Sequence, residues 1–306
     1  MLYSSSLQAI GNTPLIKLNK MTDEDSADIY VKYEGVNIGG SIKARTAFNM
    51  IEDAERKGLL NENSVIVECT SGNQGIALAM IGAVKGYKVI IVMPDSVSVE
   101  RRKLIEQYGA IIRLVHDEGN IGECIKKCQF IVNNSAKEDP LVFVPGQFDN
   151  PANVEAQKQT GLEIVKDLPK IDGFCSGIGT GGTLTGIGEV LRKHNPDITI
   201  WAIEPENAAI LSGKEIGTHM QMGIGDGVIP SILNQNIYDD ICIITDEEAI
   251  EVSKQLTKKE GLLCGISSGT NVAAAIKLAK KLGKGKNVVT VLPDTGERYY
   301  STPLFD

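Results

Sequence analysis

The sequence predicts an α/β fold with two domains, each built on a mainly parallel sheet covered by helices. Apolar strand-like runs alternate with segments whose apolar residues recur at helical spacing, which is typical of such sheets. Nine strand-like runs are more than one sheet comfortably holds in 306 residues. We therefore expect the active site between two domains. The chain should cross between them within 140–151, which predicts a large domain of residues 1–40 and 146–306 and a smaller, mobile domain of residues 41–145.

The strand-like runs are rich in Val, Ile and Leu, the residues favoured in buried strands. In chain order they are 29–33, 64–69, 88–93, 111–115, 141–144, 173–175, 198–204, 241–245 and 287–292. Apolar faces of helical period lie between them, for example at 76–83, 154–165 and 273–282.

Composition excludes several classes of protein. The net charge of -8 and the absence of a basic run argue against a nucleic-acid partner. No apolar run approaches the ~20 residues that span a membrane, and the first residues lack the order of a signal peptide. We therefore expect a cytoplasmic protein whose partners are small molecules, with no nucleic acid and no membrane among them.

The six cysteines are scattered through the chain, several of them in apolar runs where a free thiol packs as a small hydrophobe. Cys124 and Cys128 share a helix face and are the one pair with metal-ligand spacing. No second pair of cysteine or histidine residues accompanies them. We predict no metal site.

The first strongly patterned helix follows Gly39 and Gly40 and runs from Ala44 to Gly58. Ser41 is its expected N-cap, which places Lys43 in the first turn, where the helix dipole disfavours a cation. A lysine in that position should have a lowered pKa and a neutral amine that can form a Schiff base. The alternative is an ordinary surface lysine.

The turn at 70–75 follows a strand and precedes a helix, and it contains hydroxyl and amide side chains and two glycines. Hydrogen-bond donors at a helix N-terminus suit a carboxylate or another anion. Further turns rich in glycine and polar side chains, at 264–270 and 293–299, also follow strands. Open α/β sheets bind their ligands at these carboxyl ends.

The turn at 176–183 has two interpretations. Its glycines match the dinucleotide pattern GxGxxG, and Glu204 ends the next strand where an acid that binds ribose would lie. That interpretation predicts an NAD-dependent dehydrogenase. Thr180 and Thr183 instead add hydroxyls that suit a terminal phosphate.

Together, these stretches resemble the cysteine synthase and cystathionine β-synthase family of fold-type-II pyridoxal-phosphate enzymes, whose fold is that of the tryptophan synthase β subunit. The resemblance covers nearly the whole chain. The motifs that carry it are 11–15, 40–43, 70–73, 147–153, 179–183, 223–225, 265–269 and 293–299.

The resemblance implies the cofactor pyridoxal 5'-phosphate, bound to Lys43 as an internal aldimine, with Lys43 later moving the α-proton. It implies that Asn73 bonds the pyridine 3'-oxygen and that Ser267 faces the pyridine nitrogen. The phosphate would bind to Gly179, Thr180, Gly181, Gly182 and Thr183, and the substrate carboxylate to Thr70, Ser71, Asn73, Gln74 and Gln147.

A neutral serine opposite the ring nitrogen makes the ring a weaker electron sink than an aspartate would. A weak sink disfavours transamination but still allows a leaving group to depart from the β-carbon. The expected chemistry is therefore β-elimination to an aminoacrylate, followed by addition of a nucleophile to this three-carbon unit.

Three stretches depart from the usual cysteine synthase pattern. Gly39 and Gly40 resemble the cystathionine β-synthase side of the family, and Gln74 replaces a common threonine. Asp226 stands where cysteine synthases usually carry a small residue. Bisulfide needs no base to attack, whereas water does, and a carboxylate can supply that base.

We therefore hypothesise that L-cysteine is the donor, that hydrogen sulfide is released, and that water or a second thiol completes the reaction, giving serine or a thioether. If Asp226 only forms an outward turn with Gly227, biosynthetic O-acetylserine sulfhydrylase activity is the alternative. A regulatory protein that has lost catalysis is disfavoured because Lys43, Asn73 and Ser267 are all retained. The resemblance also implies a homodimer and leaves docking of a serine acetyltransferase open.

Overall fold

Two sheets, one of six strands and one of four, organise the chain in this computed structural model, which describes residues 2–70, 72–116 and 121–306. In spatial order, the larger sheet contains β1 (Leu15–Lys17), β2 (Asp28–Tyr33), β10 (Asn287–Leu292), β7 (Gly173–Gly177), β8 (Thr199–Pro205) and β9 (Asp240–Ile244). The smaller sheet contains β5 (Ile111–Val115), β4 (Lys88–Pro94), β3 (Val65–Cys69) and β6 (Val142–Phe143). Neighbouring strands in both sheets are parallel, except that β1 pairs antiparallel with β2.

Helices connect these strands and cover the sheets. They are α1 (Lys43–Arg56), α2 (Asn73–Lys85), α3 (Val99–Gln107), α4 (Ile121–Glu138), α5 (Pro151–Asp167), α6 (Gly182–His194), α7 (Asp246–Gln255) and α8 (Ile266–Leu282). The predicted α/β class with mainly parallel, helix-covered sheets is confirmed. Each of the nine predicted strands is present, and the short β1 was not predicted. The domain boundaries given above stay a prediction.

The strands at the centre of each sheet are apolar along their whole length because helices cover both faces. In β10, for example, the residues from Val288 to Leu292 are all buried. Burying one such aliphatic side chain contributes about 1.5–3 kcal/mol. Within the described residues, no helix combines the length and the apolar composition that a membrane span requires.

The start of α1 lies between the cores of the two sheets. Ile42 packs into the core that α5 and α6 form with the larger sheet. Ala44, two residues later, packs into the core of the smaller sheet. Lys43 therefore stands where the chain passes from one core to the other.

The expected capping of α1 by Ser41 is wrong. The residue before the helix is Ile42, and the buried Ser41 hydroxyl has no hydrogen-bond partner among the described residues. Ser41 instead forms a β-bridge with Asp294, and the Ile42 N–H donates to the Pro293 carbonyl at 2.8 Å. Tertiary pairing with the segment after β10, rather than a local cap, sets where α1 begins.

Candidate active site

A cavity of about 380 Å³ lies where strands of both sheets end. Residues at or just after the carboxyl ends of β3, β4, β7 and β10 line it, as expected for a ligand site in parallel sheets. It brings together nearly all of the predicted site residues. Those that line it are Lys43, Thr70, Asn73, Gln74, Gln147, Gly179, Thr180, Gly181, Thr183, Asp226 and Ser267. Gly182 is the next residue of the same turn, and Ser71 lies outside the described residues.

Lys43 lines this cavity from the first turn of α1. Burial lowers the pKa of its amine, and the carboxylates of Asp226 and Asp294 act in the opposite direction. The predicted direction of the shift agrees with the structure, and its largest cause is removal of the amine from water. A lysine with a lowered pKa has a larger neutral, nucleophilic fraction.

The turn at 179–183 leads into α6 and requires its glycines. A Cβ at Gly179 would lie 2.4 Å from the Gly223 carbonyl oxygen, and one at Gly182 would lie 2.3 Å from the Asn153 side chain. Gly181 has a left-handed backbone with φ of 79°. The Thr180 hydroxyl accepts a hydrogen bond from Asn153 at 3.0 Å. Backbone N–H groups at this helix start, with nearby hydroxyls, form a cradle for an anion.

Asn73, the first residue of α2, is held by residues from the far end of the chain. Its Nδ2 donates to Asp294 Oδ2 at 2.6 Å, and its Oδ1 accepts from Arg298 Nη1 at 2.7 Å. The Tyr299 hydroxyl donates to the same Asp294 carboxylate at 2.7 Å. Since an amide carries two N–H groups, Asn73 keeps one for a ligand. Sequence analysis identified 293–299 as a turn after a strand but did not single out Asp294 or Arg298.

Asp226 lines the cavity just after the turn 223–225. A Cβ at Gly179 would lie 3.3 Å from Asp226 Oδ2, so the carboxylate lies beside the start of the anion cradle. Burial raises the pKa of Asp226, whereas the charges of Lys43 and His219 lower it. Lys43 and Asp226 thus form a cavity pair in which burial disfavours the charged form of each.

Two further polar side chains in the cavity wall are notable. Burial raises the pKa of Glu68 to about 8, and the Gly146 N–H donates to this carboxyl group at 3.0 Å. Glu68 was missed because it lies inside an apolar strand run. Gln74 is 1% exposed, and its amide nitrogen and oxygen have no partner among the described residues. A buried, unpaired amide costs about 1–3 kcal/mol unless a ligand satisfies it.

Glu204 does not occupy a ribose-binding position. Its carboxylate accepts hydrogen bonds from the Leu211 N–H at 2.8 Å and the Ser212 hydroxyl at 2.9 Å. It therefore closes the loop after β8 and is already satisfied within the protein. This removes one of the two observations that favoured a dehydrogenase.

Cys124 and Cys128 pack with Cys69, Val67 and Val132 in an apolar cluster between the smaller sheet and α4. Among the residues that the structure describes, no group of three possible metal ligands is found.

Comparison with known proteins agrees with this geometry. A family model described as "Pyridoxal-phosphate dependent enzyme" matches residues 6–294. A cysteine synthase from Staphylococcus aureus is 49% identical over 301 residues, which is 97% of this chain and 96% of that protein.

Two solved structures extend the comparison. An O-ureido-L-serine synthase superposes with a TM-score of 0.95 at 42% identity, covering 100% of this chain and 96% of that one. A hydrogen sulfide-producing enzyme from Fusobacterium nucleatum superposes with a TM-score of 0.91, also at 42% identity, covering 97% of this chain and 100% of that one.

Proposed function

This chain belongs to the family of pyridoxal-phosphate dependent enzymes, as a cysteine synthase-like enzyme of β-replacement, and we propose that L-cysteine is its donor and hydrogen sulfide its first product. The remaining three-carbon unit is passed to water, which gives serine, or to a second thiol, which gives a thioether. The observation that carries this proposal is the carboxylate of Asp226 in the same cavity as Lys43.

The side chains of the cavity fit pyridoxal phosphate. Lys43 offers an amine with a lowered pKa, and the turn at 179–183 is an anion cradle whose glycines leave room for a phosphate. Asn73 keeps an N–H for the ring oxygen, and the buried Ser267 offers a neutral hydroxyl to the ring nitrogen. When bound, the cofactor supplies an electron sink for bond cleavage at the substrate α-carbon.

Two side chains of the protein carry out the proton transfers, Lys43 in the first half of the reaction and Asp226 in the second. Lys43 removes the α-proton, because its amine has a lowered pKa and lines the cavity. Thr70, Asn73 and the other residues of the 70–74 turn hold the donor carboxylate. Gln147, which is buried in the wall of the same cavity, completes this contact.

Asp226 is the general base for the second half of the reaction. Bisulfide is ionised enough near neutrality to attack unaided, whereas water must lose a proton as it attacks. A carboxylate with a raised pKa is a stronger base than an exposed one. An aspartate in the same cavity as Lys43 therefore favours addition of water or a neutral thiol, and its charge disfavours entry of bisulfide.

A biosynthetic O-acetylserine sulfhydrylase is the second candidate. The similarity to the staphylococcal cysteine synthase favours it, whereas the similarity to the fusobacterial hydrogen sulfide-producing enzyme supports the first candidate. We also propose, from family membership, a homodimer located in the cytoplasm.

The deciding experiment compares two activities in the native enzyme and in Asp226→Asn. One is release of sulfide and serine from L-cysteine, and the other is formation of cysteine from O-acetylserine and sulfide. We expect Asp226→Asn to lose serine formation by roughly 10²-fold or more, the usual contribution of a general base. Cysteine formation should be unchanged or faster.

Asp149→Asn is the matched control, because Asp149 is an exposed aspartate at the same cavity. Serine formation that survives intact in Asp226→Asn would show that Asp226 is not the base. A native enzyme that forms cysteine from O-acetylserine and releases no sulfide from L-cysteine would rule out the proposed donor.

A further inference from the structure

Arg101, on α3, is a cation in the cavity wall that the reaction described so far does not use. Its side chain is 2% exposed and lines the same cavity as Lys43. The guanidinium carbon lies 4.8 Å from the centre of the Tyr299 ring, and Nη1 contacts Met222 Sδ at 2.9 Å. Its Nε has no hydrogen-bond partner among the described residues.

No carboxylate among the described residues forms an ion pair with Arg101. Arg45, which is buried to a similar degree, pairs with Glu34 at 2.7 Å and with Glu163 at 2.7 Å. A buried charge without a counter-ion is strongly destabilising. The Tyr299 ring offsets part of this cost through a cation–π contact. An arginine in this state, open to a cavity, is suited to bind an anion from a ligand.

The other charged groups of the cavity indicate which anion this is. The phosphate has its own cradle at 179–183, and the donor carboxylate has the turn at 70–74. Asp226 repels any further anion that enters the cavity. A second substrate that carries a carboxylate therefore needs a cation. The described cationic side chains that line the cavity are Lys43, Arg101 and Lys126. Lys43 serves the cofactor, and Lys126 is exposed, which leaves Arg101 as the deeply buried one.

We propose that Arg101 binds the carboxylate of the thiol that receives the three-carbon unit. This inference rests on the proposed function and names the class of its second substrate as a thiol carboxylic acid, which includes a second molecule of L-cysteine. Met222 lies against the guanidinium and gives the methylene chain of such a thiol an apolar wall.

The same contact sets the ratio of the two products. Water gains nothing from Arg101, whereas a thiol carboxylate is concentrated by it. Arg101 therefore favours the thioether over serine, and its removal should shift the product ratio towards serine.

The test uses 3-mercaptopropionate and 2-mercaptoethanol, two thiols that differ chiefly in their carboxylate and hydroxyl ends. Acceptor KM is measured for the native enzyme, Arg101→Met, Arg101→Lys and the exposed control Lys103→Met on the same helix. We expect Arg101→Met to raise the KM for 3-mercaptopropionate by roughly tenfold to a hundredfold, the range for a lost hydrogen bond to a charged group. The KM for 2-mercaptoethanol should change less than twofold. Arg101→Lys should restore part of the loss.

Two outcomes would overturn the proposal. Equal changes for both thiols would show that Arg101 only supports the cavity wall. A matching rise in the KM for O-acetylserine as donor, at saturating 2-mercaptoethanol, would show that Arg101 binds the donor carboxylate instead. The thermal midpoint of each variant shows whether the protein is folded.

The acceptor comparison is run with L-cysteine and, separately, with O-acetylserine as donor. If only O-acetylserine supports turnover and Arg101→Met still discriminates between the two thiols, the proposed donor is wrong and the role of Arg101 stands. If L-cysteine supports turnover and the discrimination is absent, the role of Arg101 is wrong and the proposed donor stands.

Discussion

Lys43 and Arg45 lie two residues apart in the first turn of α1, and their electrostatic surroundings are opposite. A separation of two residues turns the side chains by about 200° around a helix, so they leave it on opposite sides. Lys43 enters the cavity, where burial lowers the pKa of its amine and raises that of Asp226. Arg45 enters a packed cluster of paired charges.

In that cluster, burial tends to lower the pKa of Arg45, but hydrogen bonds and charges from Glu163 and Glu34 raise it overall. Burial likewise tends to raise the pKa of Glu163, yet Arg45 and Lys32 bring it down to about 2. Lys32 Nζ lies 2.9 Å from the Glu163 carboxylate. Each charge in this cluster has a direct partner at hydrogen-bond distance.

The comparison shows that burial alone does not decide whether a group stays charged. Direct ion pairs hold Arg45 and Glu163 in their charged forms, which favours a fixed structure. Lys43 and Asp226 have no such direct pair among the described residues, and each is moved towards its neutral form, which favours proton transfer. The ion-pair cluster ties α1 to α5 and to Glu34, the residue that follows β2, and so holds the cavity lysine in place.

The largest effect should come from Lys43→Ala. We expect turnover to fall on the order of 10⁴-fold, because in the proposed reaction a single amine both holds the cofactor and moves the proton. The absorbance band of the bound cofactor should disappear, and peptide mapping after borohydride reduction should find no label on α1. Lys57→Ala, at the far end of α1, is the control. Turnover above a tenth of the native rate would contradict the assignment of Lys43.

Glu163→Gln should be the most destabilising change. It leaves Arg45 and Lys32 partly unpaired in a buried site, which costs about 3 kcal/mol in the free energy of unfolding. Urea titration measures this loss. Glu155→Gln, on the same helix but exposed, should change the free energy of unfolding by less than about 0.5 kcal/mol. Similar losses in both variants would show that the buried ion pairs contribute no more to the free energy of unfolding than an exposed one.

The same cluster predicts the acid sensitivity of the fold. The pKa of Glu163 is lowered from 4.5 to about 2 on folding. Its contribution to stability is therefore complete above pH 4.5 and is lost as the pH falls towards 2. Native protein should lose stability across this window more steeply than Glu163→Gln. Parallel curves would mean that other carboxylates govern acid unfolding.

Asp226→Asn should change stability less than Glu163→Gln does, and in the opposite direction. Because the folded protein raises the pKa of Asp226, its ionised form is less favourable there than in water. A neutral amide removes that cost, and we expect a gain of about 1 kcal/mol, as for other strained functional groups. The gain should fade at low pH, where the native carboxyl is protonated. A loss of stability near neutral pH would contradict this sign.

Strand periodicity and turn composition were enough to predict the strands and the ends of the sheets at which ligands bind. These local patterns gave wrong predictions where pairing with a distant part of the chain, rather than the local sequence, sets the structure. Ser41 looks like a helix cap, but the pairing of 41–42 with 293–294 determines the geometry there. The short β1 has three residues and no periodic signal, and it is defined by its antiparallel pairing with β2.

The sequence by itself predicted the class of fold, the turns that line the cavity and Lys43 as the lysine beside them, because these depend on local spacing and on residue type. Only the tertiary structure decided which buried charges are paired. Arg45 meets Glu163 across 118 positions, and Asn73 meets Asp294 across 221 positions. The tertiary structure also places Arg101 where no carboxylate among the described residues forms an ion pair with it. Charge pairing depends on distance and on exclusion of water in three dimensions, and no spacing along the chain encodes either quantity.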